Sequence, residues 1–101
     1  MRSRAAAGPL GLAPPEGTAT RPGLTLLVRA YCHLCDEMRD ALRPLARDAG
    51  LALHEIDVDT DAELEARWGE EVPVLLAGEQ ILCRYRLDRR ALADFLARAA
   101  R

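Results

Sequence analysis

Two cysteines of this 101-residue chain, Cys32 and Cys35, are separated by only two residues, His33 and Leu34. A short apolar run precedes the pair, and a helical apolar pattern follows it. A CxxC pair at such a strand-to-helix junction is typical of a thiol–disulfide redox centre. The spacing places Cys32 at the helix N-terminus, where free N–H groups and the positive end of the helix dipole stabilise a thiolate.

The two thiols are expected to have different roles. The thiolate of Cys32 would attack a disulfide, because the thiolate is the nucleophile in disulfide exchange. Cys35 lies one helical turn later and could displace the partner from the resulting mixed disulfide. His33 and Arg29 would add positive charge near the sulfur of Cys32, whereas the two acids that follow Cys35 oppose it.

Two other interpretations of the pair stay open behind the redox one. A CxxC pair can be half of a zinc or iron–sulfur site, but a zinc site needs two further ligands. The remaining candidates, Cys83, His33 and His54, form no second spaced pair, so we expect no metal site. The pair can also be a coincidence, which we rank last.

Apolar periodicity predicts the elements that position the pair. The predicted strands are residues 24–28, 51–58, 72–76 and 81–85, and the predicted helices are residues 33–49, 60–68 and 88–99. We expect the last two strands to form an antiparallel hairpin and the first two to pair in parallel within a βαβ unit. The order βαβ-α-ββα predicts an α/β fold in which helices flank a four-stranded mixed sheet.

Local signals predict the helix ends. Gly50 is expected to cap the first helix, a capping box from Thr60 to Glu63 to start the second, and Asp88 to cap the third. Gly69 is expected to end the second helix after Trp68, which we expect to cover the edge of the core. Pro44 falls inside the first helix and should kink or divide it.

Composition divides the chain into an extension, residues 1–23, and a folded domain, residues 24–101. The extension holds four of the six prolines and four of the seven glycines, so we expect it to be flexible. It lacks the apolar run of a secretory signal, and a mis-assigned start codon would also explain it. The complete absence of lysine suggests a GC-rich bacterial source.

Charge and hydropathy exclude two classes of partner. The formal net charge is −2, which argues against a general nucleic-acid binder. No run of 18 apolar residues is present, so we expect no membrane span. Within the chain, residues 55–71 hold eight acids and one arginine, and residues 84–101 hold six arginines and two acids. These segments are either two solvated faces or a dipolar surface that steers a charged partner.

Three segments resemble the glutaredoxin branch of the thioredoxin-like superfamily, and most of all its short bacterial glutaredoxin-like members. They are residues 29–35 (RAYCHLC), residues 56–59 (IDVD) and residues 72–75 (VPVL), the last followed by Gly78 and Ile81. The similarity covers essentially all of residues 24–101. Thioredoxins usually carry Trp before the first cysteine, whereas this chain carries Tyr31.

The resemblance implies a thioredoxin-like fold and a thiol–disulfide oxidoreductase. It implies a cis Val72–Pro73 bond whose loop lies against the active sulfur and offers the backbone of Val72 to a peptide or to glutathione. The expected site residues are Cys32 and Cys35 as catalytic thiols, Arg29, Tyr31 and His33 in support, and Val72 and Pro73 for substrate binding.

The resemblance also sets the expected partners. Substrates would be protein disulfides or glutathionylated proteins, a reductase or glutathione would recycle the protein, and no tightly bound cofactor is implied. The Gly-Gly signature of glutathione-using relatives is absent, because residues 82–88 read LCRYRLD. His33 replaces the common Pro of the motif and should favour the thiolate. We expect a cytoplasmic monomer that binds neither nucleic acid nor membrane.

Two alternatives complete these expectations. A non-catalytic thioredoxin-fold module that binds a partner, a metal or an iron–sulfur cluster through Cys32 is the other class of function. Cys83 is expected to be a buried packing residue, with a third redox thiol as the alternative. The cluster Arg84, Arg86, Arg89 and Arg90 could meet an acidic partner or the carboxylates of glutathione.

Overall fold

A computed structural model describes residues 23–99. In chain order the elements are β1 (Gly23–Val28), α1 (His33–Asp48), β2 (Ala52–Asp57), a 3-10 turn (Val58–Thr60), α2 (Ala62–Trp68), β3 (Val74–Ala77), β4 (Gln80–Arg84) and α3 (Arg89–Ala99). The predicted order βαβ-α-ββα is confirmed. The predicted extension, apart from Gly23, lies outside the described residues.

The four strands form one mixed sheet with the order β2-β1-β3-β4. β1 pairs with β2 in parallel, with β3 antiparallel to β1 and β4 antiparallel to β3. The C-terminal ends of β1, β2 and β4 therefore meet the N-terminal end of β3 at one edge of the sheet. Because α1 begins just after β1, this edge also carries Cys32, and we call it the Cys32 edge.

Alternating side chains of the central strands build two apolar clusters, one on each face of the sheet. Leu26 of β1 and Leu75 of β3 pack with α1 and α3 residues in the first cluster. Leu27 of β1 and Val74 of β3 pack with α2 residues in the second cluster. The sheet is therefore covered on both faces, as a thioredoxin-like α/β fold requires.

The long helix α1 follows its predicted periodicity and ends in a Schellman motif. Gly50 adopts φ +72°, its N–H donates to the carbonyl of Arg47, and the N–H of Leu51 donates to the carbonyl of Ala46. These bonds satisfy carbonyls that would otherwise lack partners at the helix end. Of the two outcomes expected for Pro44, division of the helix is wrong, because α1 runs unbroken through this exposed position, and a kink stays a prediction.

The start of α2 differs from its prediction. Asp61, not Thr60, is the N-cap, and its Oδ1 accepts the N–H groups of Glu63 and Leu64. Thr60 belongs to the preceding 3-10 turn and donates its hydroxyl to the carbonyl of Asp57 at 2.7 Å. The turn delays the helix by one residue. The predicted caps Gly69 and Asp88 are confirmed, since Asp88 Oδ1 accepts the N–H of Ala91.

Candidate functional site

The CxxC pair spans the start of α1 as a disulfide between Cys32 and Cys35, with the two Cα atoms 5.2 Å apart. Cys32 is the N-cap in extended conformation, and its sulfur accepts the N–H of Cys35 at 3.1 Å. Cys32 is half-buried, whereas Cys35 is completely buried in the second cluster. This asymmetry leaves one sulfur open to an incoming group and covers the other.

The Val72–Pro73 peptide bond is cis, as the resemblance implied. Leu27 near the end of β1 faces Val74 at the start of β3, so the Val72–Pro73 segment reaches the Cys32 edge. Val72 lies beyond the last paired position of the two strands, and its side chain packs in the same cluster as Cys35. The expected substrate-binding segment and the thiol pair are thus neighbours.

The end of β4 holds this cis-proline loop from one side. The N–H of Tyr85 donates to the carbonyl of Pro73 at 2.8 Å. Arg84 Nε donates to Glu71 Oε1 at 2.6 Å, and the Tyr85 hydroxyl lies 3.5 Å from the carbonyl oxygen of Glu70. Sequence reasoning missed Tyr85, because neither its positive φ of +67° nor its contact with Pro73 has a local signature.

Arg29 holds the neighbouring segment from the other side. Its guanidinium donates to both carboxylate oxygens of Asp59 at 2.7 and 3.2 Å, to Glu65 at 3.3 Å and to the carbonyl of Gly69 at 2.8 Å. The hydrogen bond to Asp59 is the largest influence that raises the pKa of Arg29, with partial desolvation opposing it. The charge of Arg29 is therefore directed at the acids around α2.

The other two supporting residues project into solvent. Tyr31 is fully exposed and adopts φ +59°. The side chain of His33 is 88% exposed, and its Nε2 lies 3.3 Å from Glu37 Oε2. No hydrogen bond joins the Cys32 sulfur to Arg29, Tyr31 or His33 within residues 23–99, so their supporting roles stay predictions.

Cys83 sits in a β-bulge that decides which face of the sheet it occupies. Leu75 faces Cys83 and Leu76 faces Ile81, which leaves Leu82 as the extra residue. Leu82 and Cys83 consequently both pack in or against the first cluster, away from the cluster that contains Cys35. Burial raises the pKa of the Cys83 thiol. The N–H of Asp88 opposes that shift, and the Asp88 carboxylate adds a smaller increase.

Trp68 is buried in the second cluster together with Cys35, deeper than the core edge that the sequence predicts. Its indole N–H finds no partner among the described residues, and the guanidinium of Arg67 lies 4.9 Å from the ring centre. His54, expected to be a packed or surface residue, is half-buried on β2. Because Trp68 packs in the same cluster as Cys35, reduction of the disulfide should change the fluorescence of Trp68.

Two kinds of feature are absent from residues 23–99. No group of three or more His, Cys, Asp or Glu side chains in that range could hold a metal ion. None of the helices in the same range is long and apolar enough to cross a membrane.

The fold and the cysteine pair together define a glutaredoxin-like member of the thioredoxin superfamily. The family model described as Glutaredoxin-like domain (DUF836) matches residues 23–97, and the chain belongs to this family. The family and the Cys32–Cys35 pair support a redox-type role.

Several relatives are similar over nearly their whole length. Protein Ne2328 from Nitrosomonas europaea is 30% identical with a TM-score of 0.65, over 80% of this chain and 98% of that one. Protein XcR50 from X. campestris is 38% identical with a TM-score of 0.59, over 76% and 99% of the two chains. The uncharacterized protein Rv0508 of Mycobacterium tuberculosis is 31% identical over 79% of this chain and 88% of its own length.

Proposed function

We propose that the protein is a thiol–disulfide oxidoreductase in which Cys32 is the nucleophile and Cys35 the resolving thiol. One observation carries the proposal: a half-buried Cys32 at a helix N-terminus is paired with a buried Cys35 beside a cis Val72–Pro73 bond. The N–H of Cys35, directed at the Cys32 sulfur at 3.1 Å, would stabilise a thiolate there after reduction, because a hydrogen bond to the charged form favours it.

The reaction proceeds in two balanced exchanges. The Cys32 thiolate attacks one sulfur of the substrate disulfide, forms a mixed disulfide and releases the other substrate sulfur as a thiolate that takes a proton from water. Cys35 then loses its proton and attacks the Cys32 sulfur, which releases the second substrate thiolate. The substrate gains two electrons and two protons, and Cys32 and Cys35 become a disulfide.

The backbone of Val72 and an external reductant complete the cycle. The backbone of Val72, beyond the last β1–β3 pair, would hydrogen-bond an extended substrate next to Cys32. A dithiol reductase or glutathione would then reduce the Cys32–Cys35 disulfide and supply the two electrons. No tightly bound cofactor takes part, and protein disulfides or glutathionylated proteins are the proposed substrates.

Insulin reduction by the wild type and two variants tests the proposal. With dithiothreitol as reductant, the wild type should accelerate the reduction and Cys32→Ser should abolish the acceleration. Cys35→Ser should instead retain a stable mixed disulfide at Cys32, visible by mass spectrometry. Cys83→Ser is the matched control and should behave as the wild type, because Cys83 packs on the other face of the sheet.

Two results would contradict the proposal. Equal activity of wild type and Cys32→Ser would remove Cys32 from the chemistry. A wild type that reduces neither insulin nor a glutathione mixed disulfide, and that is purified with bound iron or zinc, would favour the binding module instead.

A further inference from the structure

Two tyrosines stand out at the Cys32 edge. Among residues 23–99, Tyr31 and Tyr85 are the only exposed large hydrophobic residues. They are also the only residues other than glycine with positive φ, at +59° and +67°. Exposure of the ring and a left-handed backbone are independent properties, and both occur together at these two positions.

Topology brings the two tyrosines to the same place. Tyr31 directly precedes Cys32 after β1, and Tyr85 follows β4 and donates its N–H to the carbonyl of Pro73. A left-handed backbone is unfavourable for a residue with a Cβ, and such residues concentrate at binding and catalytic sites. Here the left-handed conformations accompany two tyrosines left exposed around Cys32 and Pro73.

Exposed tyrosines beside a site are suited to contact with a polypeptide. The ring buries a large apolar area with few rotatable bonds, and the hydroxyl stays hydrogen-bonded to water or to the partner. A small disulfide such as oxidised glutathione would cover little of the rings of two residues that follow β1 and β4, which β3 separates in the sheet. An extended polypeptide that pairs with the backbone of Val72 would cover much more.

Most charges at the Cys32 edge are already paired. Arg29 binds Asp59 and Glu65, His33 lies beside Glu37, Asp36 binds Arg39, and Arg84 binds Glu71. All of these pairs have a nitrogen–oxygen distance of 3.3 Å or less. On the β1 side the four acids of these pairs outnumber the two arginines, so an attraction for carboxylates must come from the β4 side.

Three exposed arginines follow Tyr85 and make no ion pair within the described residues. They are Arg86, Arg89 and Arg90. The one acid among them, Asp88, caps α3. Arg89 and Arg90 occupy the first turn of α3, which holds no acid although the helix dipole favours one there. The Asp88 carboxylate at the cap offsets part of this unfavourable placement, but the helix itself gives no reason for arginine at both positions.

We propose that Tyr31, Tyr85, Arg86, Arg89 and Arg90 form an aromatic–arginine surface that binds an acidic, extended polypeptide beside its disulfide. This inference rests on the proposed oxidoreductase function and names its substrate class. The tyrosines contact the polypeptide where β1 and β4 end, and the arginines attract its carboxylates. Such charges act mainly on association rate and partner choice, so the preference should fall with ionic strength.

Three synthetic peptides test the charge preference. Each carries one cysteine in a mixed disulfide with the chromophore 5-thio-2-nitrobenzoate, flanked by glutamates, serines or lysines, and release of the chromophore reports attack by Cys32. The acidic peptide should have the highest kcat/KM at low salt and lose its advantage at high salt. Equal kcat/KM for the three peptides overturns the inference alone, whereas no reaction with any peptide overturns the proposed function as well.

Charge variants assign the preference to residues. Arg86→Gln and Arg90→Gln should each lower kcat/KM for the acidic peptide by about two- to fivefold at low salt, as expected for one exposed charge pair. Arg98→Gln is the matched control, because it removes the same charge from the last turn of the same helix. An equal loss in Arg98→Gln would show a general effect of net charge and would overturn the assignment to this surface.

Aromatic variants test the second half of the surface. Tyr31→Ala and Tyr85→Gly should raise KM more for the peptides than for glutathione bearing the same chromophore, and Tyr85→Phe should have a KM close to that of the wild type. Urea unfolding identifies any variant that loses its fold, and in that case Tyr85→Phe against Tyr85→Leu isolates the ring. An equal rise in KM for the glutathione substrate would mean that the tyrosines only position the thiols, and would overturn the proposal.

Discussion

Replacing Gly69 by alanine should destabilise the protein, although a helix-propensity argument predicts the opposite. Gly69 ends α2 with φ −55° and ψ −33°, which are ordinary right-handed angles that alanine adopts without strain. Alanine is favoured over glycine by about 1 kcal/mol in a helix interior. Judged from its own conformation, Gly69→Ala should therefore be stabilising.

The surroundings of Gly69 make the alanine substitution destabilising instead. A Cβ at this position would lie 2.5 Å from the carbonyl oxygen of Glu65, 2.8 Å from its carboxylate Oε2 and 3.2 Å from Arg29 Nη1. Side chains can rotate away, but the carbonyl of Glu65 already accepts the N–H of Gly69 at 2.8 Å. Overpacking of this kind costs about 1–3 kcal/mol. After the propensity gain is subtracted, we expect a net loss of about 1 kcal/mol.

Urea unfolding of the oxidised protein measures this loss through the fluorescence of Trp68, the only tryptophan of the chain. A loss of about 1 kcal/mol corresponds to about 4–8 °C in Tm for a domain of this size. Gly78 is the matched control, since its φ is +61° and no atom of residues 23–99 lies within 4 Å of a Cβ there.

The two glycines should respond differently to asparagine. At Gly78 alanine should cost about 1–2 kcal/mol through conformation alone, and asparagine should recover part of it because it tolerates the left-handed region. At Gly69 asparagine should recover nothing, because its Cβ meets the same carbonyl oxygen. A Gly69→Ala protein as stable as the wild type, or more stable, would refute the steric reasoning.

Three further predictions follow from the packing and the charges. Arg84→Met removes the bond to Glu71, so it should raise KM for a peptide disulfide while stability changes by less than about 1 kcal/mol. Arg43→Met breaks a similar exposed pair far from Cys32 and should leave KM unchanged. Equal KM values for the two variants would contradict the role of Arg84 in positioning the cis-proline loop. Leu42→Ala should lower the free energy of unfolding by about 2–5 kcal/mol, because Leu42 is fully buried in the first cluster, and a loss well below 1 kcal/mol in urea unfolding would contradict it. Since burial raises the pKa of Cys83 above its ordinary 9.0, its alkylation by iodoacetamide in the oxidised protein should be slower than in urea-unfolded protein. The stability that this shift contributes should be fully present below the pKa of the Cys83 thiol in the unfolded chain and lost as the pH rises through its pKa in the folded protein. Equal alkylation rates in folded and unfolded protein would contradict the shift.

Local pattern was sufficient for most of the fold. Apolar spacing predicted every strand and helix, and the boundaries differ from those observed by only a few residues. Glycine at the end of α1 and Asp88 before α3 marked their helix ends, because capping depends on bonds between near neighbours in the chain. The predicted cap at Thr60 was wrong because Thr60 is the last residue of a 3-10 turn, which moves the start of α2 to the next residue.

Local sequence pattern likewise predicted only part of the candidate site. The sequence by itself determined the thiol pair at a helix N-terminus, because a strand, a CxxC pair and an amphipathic helix are contiguous. A proline before an apolar strand could be assigned to the site only through the family resemblance. The placement of that proline beside the thiols follows from the antiparallel pairing of β1 and β3, which is a property of the sheet.

Only the tertiary structure decided what surrounds the pair. Arg29 finds its partners 30 to 40 residues away, Tyr85 donates to Pro73 across two strands, and a bulge places Cys83 on the opposite face from Cys35. Gly69 is required for space beside Glu65 and Arg29 rather than for backbone freedom. Each of these contacts joins segments distant in the chain, and periodicity records only which face of its own element a residue occupies.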